Sequence, residues 1–522
     1  MPVALPAEKT EPFAASRELF SAMESYLMSD DAKKLTHSEL EREIEKRGRE
    51  LMRLLLQAHL DVRGPGEAAG PVEGSDGIVR EQERLHERGL ETIFGEVQVR
   101  RMGYGAEGAD SLHPMDGALN LPVEKYSHEV QRRVAIEAAK NAFDEGVRTL
   151  ETYTGAHIPK RQFEKLVVRA AQDFEDFYEQ RQAYSRAAPH TGSVLVLTVD
   201  GKGVVMLPED LRDATRRAAA KRDETFTARL ARGRRLHAKR MASVAAVYTI
   251  EPFVRTPEDI LASAGKVREE PPRPRPEHKR VWASLKRTPE EVISAMFDEA
   301  EHRDPRRQKT WVALVDGNLT QLDILQKLAG QRNVALRILV DFIHVAEYAW
   351  KASLAFHPAD REQQDAWVLP RLLEILRGKA GYVAGGMRRS ATLQSLKTSE
   401  RKPVDDCADY LLHYAPYLRY DEALTAGLPI ATGVIEGACR HLIEDRMNVT
   451  GARWGLEGGE AVLRLRALRS SGDFDDYWEF HEIREYERHH AALYANQQVP
   501  AVISPKQSSP HRSQSSLKLV KK

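Results

Sequence analysis

The chain reads as an α/β protein, and three observations predict it. Its first third is charged and helical in period, with apolar residues three and four apart. Past residue 190 the pattern changes to alternating or continuous apolar runs bounded by turn residues, which is how strands read. After His344 the helical period returns. At 522 residues the chain exceeds one small core, and two to four structural units are expected.

The elements follow in order. Residues 13–60 are helical: Leu40, Ile44, Leu51, Leu54 and Leu55 form one stripe, and Gly64-Pro65-Gly66 stops it. "GPGEAAGPVEGSDG" is a flexible connection. "RGLETIFGEVQVRRMGYGA" places Thr92, Phe94, Val97 and Val99 in alternation, as a hairpin does. From Ser127 helices return. One starts at Phe143 and breaks at Thr154-Gly155; a second begins near Pro159, where a missing N–H costs nothing. Lys160, Arg161 and Gln162 open that second helix, the layout of a DNA-reading helix-turn-helix and equally of an ordinary αα-hairpin.

Strands are expected at 194–206, 241–250, 311–316 and 336–343. The domain reading is a helical region 1–84, a hairpin plus helix-turn-helix-like region 85–185, and a sheet core 190–343. That core carries a basic insertion 207–240 and a proline-rich linker 255–308 containing "REEPPRPRPEHKR". A helical insertion 344–430, a helix-bearing end of the core 431–485 and a disordered tail 496–522 complete it.

Composition limits function. Acidic and basic residues cancel at 78 each, so net charge names no partner. Between Arg212 and Arg240, however, eleven Lys or Arg face three acids, and such a block attracts polyanions over about a Debye length, ~10 Å. Within it Arg232, Arg234, Arg235 and Lys239 are candidate DNA contacts, although a solvated helix face reads the same way. Two cysteines, Cys407 and Cys439, exclude a disulfide framework and a four-cysteine zinc site, and fit small buried residues in a reducing cytosol. No window approaches the ~20 apolar residues a membrane span needs, and the start lacks a leader's basic and apolar regions. A soluble intracellular protein is expected.

Two aspartates share a pattern. Asp200 closes "VLVLTVD" before Gly201, and Asp316 closes "WVALVD" before Gly317. Functional groups gather at the carboxyl ends of strands in open α/β sheets. Two carboxylates there repel unless a cation sits between them, and their hard oxygens suit Mg²⁺ or Mn²⁺. Such ions support in-line attack at a phosphodiester, for which a third carboxylate is needed. Glu436 in "ATGVIEGACRH" is the candidate, in a helix's first turn, where Gly433 and Gly437 are expected to permit close approach to the sheet. Either aspartate alone also reads as a simple turn starter.

With these residues placed, the chain resembles a bacterial insertion-sequence transposase of the DDE class, of ISKra type. The resemblance rests on "TVDGKGV" (198–204), "ALVDGN" (313–318), "ILVDFIHVAEYAWKA" (338–352) and "TGVIEGACRHLIEDRMNVTGARW" (432–454), in that order, over residues 85–480. It implies an RNase H-like mixed sheet flanked by helices, with Asp200, Asp316 and Glu436 both catalytic and metal-binding. It implies cleavage of transposon-end DNA by water and strand transfer by the freed 3′-hydroxyl. A "DxFH" element is matched by Asp341, Phe342 and His344, and an "N/T-G-x-x-E-G" element runs from Thr432 to Gly437. The 120 residues from Asp316 to Glu436 fit an all-helical insertion. With no cysteine-rich finger before Cys407, end recognition falls to residues 127–180.

The remaining candidates each have a plain alternative. Asp341, which also closes a strand, is a rival metal ligand or else orients His344 or caps the helix that starts there, and His344 touches substrate or fills a helix–sheet contact. Arg440 reaches a phosphate or pairs with Glu436, and Lys202 contacts phosphate if its strand continues. Trp454 stacks on an unpaired base or is packed. Glu444 and Asp445 read as solvated. The expected partners are transposon-end and target DNA and a second copy of the chain, since two ends must be held together. The expected location is a bacterial cytoplasm, at the nucleoid. An inactive or domesticated DNA-binding relative, or a nuclease of the same fold without strand transfer, remains the alternative.

Overall fold

A computed structural model of the chain describes residues 11–184, 191–223, 239–262, 273–449 and 451–503. It forms two compact units, one of residues 1–137, 143–166 and 478–522, the other of 138–142 and 167–477.

In the first unit, α1 (Ala14–Met28) and α2 (His37–Arg63) realise the expected helical start. A capping box between Thr36 and Glu39 opens α2, and Gly64, at φ 73°, closes it in a conformation that glycine tolerates. The expected hairpin is present: β1 (Gln82–Thr92) and β2 (Gly95–Ala106) pair antiparallel from Gln82↔Gly105 to Thr92↔Gly95. Then come α3 (His128–Lys140), α4 (Phe143–Tyr153) and α5 (Lys160–Ala170). The connection read as flexible holds short paired strands, and Glu67–Ala68 pairs with Val502–Ile503. The expected disordered tail is thereby corrected for its first residues; 504–522 lie outside the described residues.

The second unit is built on a five-stranded mixed sheet. After α6 (Phe174–Tyr184) come β3 (Val194–Val205), α7 (Asp213–Asp223), β4 (Lys239–Ile250), β5 (Glu277–Ser284), α8 (Pro289–Arg303), β6 (Thr310–Val315), α9 (Leu319–Gln331) and β7 (Leu336–Val340). The order across the sheet is β7-β6-β3-β4-β5. The first three strands run parallel; β4 and β5 are antiparallel to their neighbours. Central strands bury both faces, so they read as continuous apolar runs: Val194–Val199 and Trp311–Val315 are all buried.

Two boundaries differ from the sequence reading. The supposed linker 255–308 contains β5 and α8. β5 is an edge strand whose first three residues, Glu277, His278 and Lys279, are exposed, so its sequence reads as polar. The fourth strand ends at Val340 rather than residue 343, because Asp341 caps a helix. The helical insertion follows, as α10 (Phe342–Ser353), α11 (Arg361–Leu376), α12 (Ala380–Leu393) and α13 (Thr398–His413). Tyr420, fully buried, ties its far end to the sheet by donating to the Val340 carbonyl at 2.7 Å. Then α14 (Gly433–Cys439) continues through a π-helical turn at Arg440–Glu444 to Met447. Among the described residues no helix is long and apolar enough to cross a membrane.

Candidate active site

Parallel pairing relates the segments that lead to the two aspartates. β6 pairs with β3 in parallel from Thr310↔Val194 to Leu314↔Thr198. Asp200 stands two residues beyond Thr198, and Asp316 two beyond Leu314, one past the end of β6, so each follows the last pair by the same count. The sequence reading had Asp200 closing its strand, and this is corrected. β3 runs on to Val205, held by β4 from Asp200↔Val244 to Val205↔Lys239. The pairing with β6 stops at Thr198, two residues before the half-buried Asp200.

Asp316 leaves β6 through a turn that needs glycine. Gly317 has φ 94°, and a Cβ there would lie 3.0 Å from the Tyr410 hydroxyl and 3.3 Å from Tyr414 Cζ. Tyr410 donates to the Asp316 carbonyl at 3.2 Å, and Tyr414 donates to that of Gly317. Two tyrosines of the insertion thus hold the turn, while Asp316 Oδ1 accepts from the Asn318 amide at 2.9 Å.

Asp341 joins the strands to the late helix. Its amide donates to the Val315 carbonyl at 2.8 Å. Its buried carboxylate caps α10 by accepting from the Ile343 amide at 2.8 Å, and its other oxygen accepts from the Thr432 hydroxyl. Both oxygens are therefore engaged, as helix cap and anchor. His344 Nδ1 lies 3.5 Å from the same carboxylate; that contact, opposed by burial, raises the imidazole above its ordinary value.

The helix α14 starts from that anchor and packs on β3 and β4 through Ile435, Ala438 and Cys439. The Cys439 thiol donates to Asp200 Oδ2 at 3.2 Å. Glu436 precedes Cys439 by three residues, ~4.5 Å of helix rise, so it projects from a neighbouring part of the helix surface. It is exposed, between the Thr432–Asp341 anchor and the Cys439–Asp200 contact. The expectation that Gly433 and Gly437 allow close approach to the sheet is corrected: a Cβ at either would meet nothing within 4 Å. Those glycines leave the opposite side of the helix open.

None of Asp200, Asp316 and Glu436 forms an ion pair with a described residue. Three unpaired carboxylates are hard oxygen donors of the kind Mg²⁺ or Mn²⁺ takes. β3 does continue past Asp200, and Lys202 lies 3.5 Å from Glu444 Oε1. Burial opposes the charge on Lys202, but Asp200 and Glu444 outweigh it and raise the ammonium above its usual value.

The proposed DNA contacts are dispersed. Lys160, Arg161 and Gln162 open α5 and are exposed, with Lys160 paired to Asp144 at 2.8 Å. Lys239 is exposed at the start of β4. Arg232, Arg234 and Arg235 lie outside the described residues. Arg440 faces Asp445 at 3.6 Å rather than Glu436. Trp454 is corrected as a stacking platform: it is 6% exposed, and its indole donates to the Met447 carbonyl at 3.0 Å. Sequence reasoning missed Cys439, Tyr410 and Tyr414; for Cys439 the signal was its spacing of three from Glu436.

No family model matches the chain. No curated protein matches it either. Among solved structures it is similar to the Drosophila P element transposase strand transfer complex, at 8% identity and TM-score 0.25, over 68% of this chain and 80% of that one.

Proposed function

We propose that the second unit is the catalytic core of a DNA transposase of insertion-sequence DDE type, with an RNase H-like sheet. The observation that supports this reading is that Asp200 and Asp316 each follow the last paired residue of two adjacent parallel strands by two, with α14 bonded to Asp200 through Cys439. The mixed sheet and the helical insertion between Asp316 and Glu436 support it.

Asp200, Asp316 and Glu436 would hold Mg²⁺ or Mn²⁺, which supplies Lewis acidity at a scissile phosphodiester. The chain's own residues do the rest. Cys439 and the Gly201 amide, at 2.6 Å, fix the Asp200 carboxylate. Tyr410 and Tyr414 fix the Asp316 turn, and Thr432 with Asp341 fixes the start of the glutamate helix. Lys202 holds positive charge beside the site for a DNA phosphate, and the open Gly433–Gly437 surface gives a DNA backbone room to approach. Lys160, Arg161 and Gln162 are assigned to end recognition, and the active form is a homo-oligomer holding two ends.

The test is cleavage of labelled end DNA and its joining to a target plasmid with Mg²⁺. Asp200→Asn, Asp316→Asn and Glu436→Gln should each retain DNA binding and lose both steps. Unchanged cleavage by Asp200→Asn refutes the site. Cleavage without joining selects the nuclease reading, and binding with no cleavage by the unmodified protein selects the inactive one.

A further inference from the structure

We propose that the second unit carries a separate phosphate-binding cavity at the other end of the same sheet. A cavity of about 240 Å³ lies among α6, the ends of β4 and β5, and the last turn of α8. Thr249 on its wall is five residues along β4 from Val244, the partner of Asp200, which is ~16 Å of strand. It is therefore distinct from the proposed site at Asp200.

The lining is cationic and its acids are already used. Arg181, Lys279, Arg280 and Arg303 face only Glu299 and Asp473. Glu299 accepts from Arg280 at 2.5 Å, from Arg303 at 2.7 Å and from Gln182 at 3.2 Å. Asp473 accepts from Arg181 at 2.5 Å and from Tyr178 at 2.8 Å. Four cations against two carboxylates leave two positive charges without a counter-ion in the lining.

Arg280 is the second observation. It is 8% exposed and lines the cavity. Its guanidinium is clamped at 3.5 Å from the Tyr178 ring centroid and 4.8 Å from that of Trp282, so its position is fixed before any ligand arrives. Next to it Lys279 is exposed and forms no ion pair with a described residue. A fixed guanidinium and an unpaired lysine in the same lining suit an oxyanion with several acceptors. The volume admits a phosphomonoester or a diphosphate, and cations on several walls suit tetrahedral phosphate better than planar carboxylate.

Calorimetric titration of the full chain with sodium pyrophosphate, in EDTA and at constant ionic strength, tests this. Saturable binding is expected, weakened at least about tenfold by Lys279→Glu and unchanged by Asp200→Asn. Circular dichroism and Tm should show that Lys279→Glu folds, since that side chain is exposed. Absence of saturable heat, equal affinity in Lys279→Glu, or loss in Asp200→Asn would each overturn the proposal. Displacement of pyrophosphate by a short DNA duplex would assign the phosphate to a DNA backbone, and no displacement to a free phosphate compound. Because the acid cluster is tested by cleavage and this cavity by metal-free binding, one can fail without the other.

Discussion

The Cys439 thiol donates to the Asp200 carboxylate at 3.2 Å, and this contact fastens the late helix to the central strand. Glu436 stands three residues earlier on the same helix and is exposed. Replacing the thiol leaves a half-buried carboxylate short of a donor, at about 1–3 kcal/mol. Cys439→Ala should lower stability by that order and reduce cleavage, while Cys439→Ser, which keeps a donor, should recover most of both. Urea titration with parallel activity assays checks it; a fully active, fully stable Cys439→Ala contradicts the bracing role.

Both thiols should be inert in the folded chain. Burial pushes Cys407 up to about 12; burial, then Asp200, pushes Cys439 higher still. Neither should react with a thiol-specific reagent at pH 8 before unfolding, and both should react in urea. Rapid native labelling of Cys439 would show that α14 detaches from the sheet.

Gly317→Ala should destabilise the chain by about 1–3 kcal/mol, since its φ of 94° and the tyrosine contact at 3.0 Å both exclude a Cβ. Tyr414→Phe, which removes only the bond to the Gly317 carbonyl, should cost about 1 kcal/mol. A Gly317→Ala variant as stable as the parent chain in chemical denaturation would contradict the turn's geometry.

Glu299 gives a pH dependence of known sign. Burial alone would raise its carboxyl, but Arg280 and Arg303 outweigh burial and hold it at about 2. A depressed folded value contributes stability that is present above the unfolded value, near 4.5, and is lost as pH falls toward 2. Stability should fall across that window more steeply in the parent chain than in Glu299→Gln, whose lower baseline has no such titration. Parallel curves would rule the linkage out.

What could be read in the sequence was what local pattern specifies. β3, β4 and β6 are long apolar runs because both their faces are covered, and their acids stand out against that background. β5 hid because an edge strand opening with Glu277, His278 and Lys279 follows a proline-rich stretch, although Thr288-Pro289-Glu290-Glu291 spells the capping box of the next helix. Strand register is not written locally, so the pairing of Leu314 with Thr198, two residues before Asp316 and Asp200, had to come from the structure. Between stacking and packing, the sequence left Trp454 open because its bridge to Met206 lies more than two hundred residues away.

The central claim is that Asp200, Asp316 and Glu436 share one divalent cation. Replacing Mg²⁺ with Fe²⁺ and adding ascorbate generates hydroxyl radicals at the bound ion, which cut the nearest backbone. Cuts should appear near all three residues, together, and vanish in Asp200→Asn. Cuts confined to one segment, or a pattern unchanged in Asp200→Asn, would contradict the shared site.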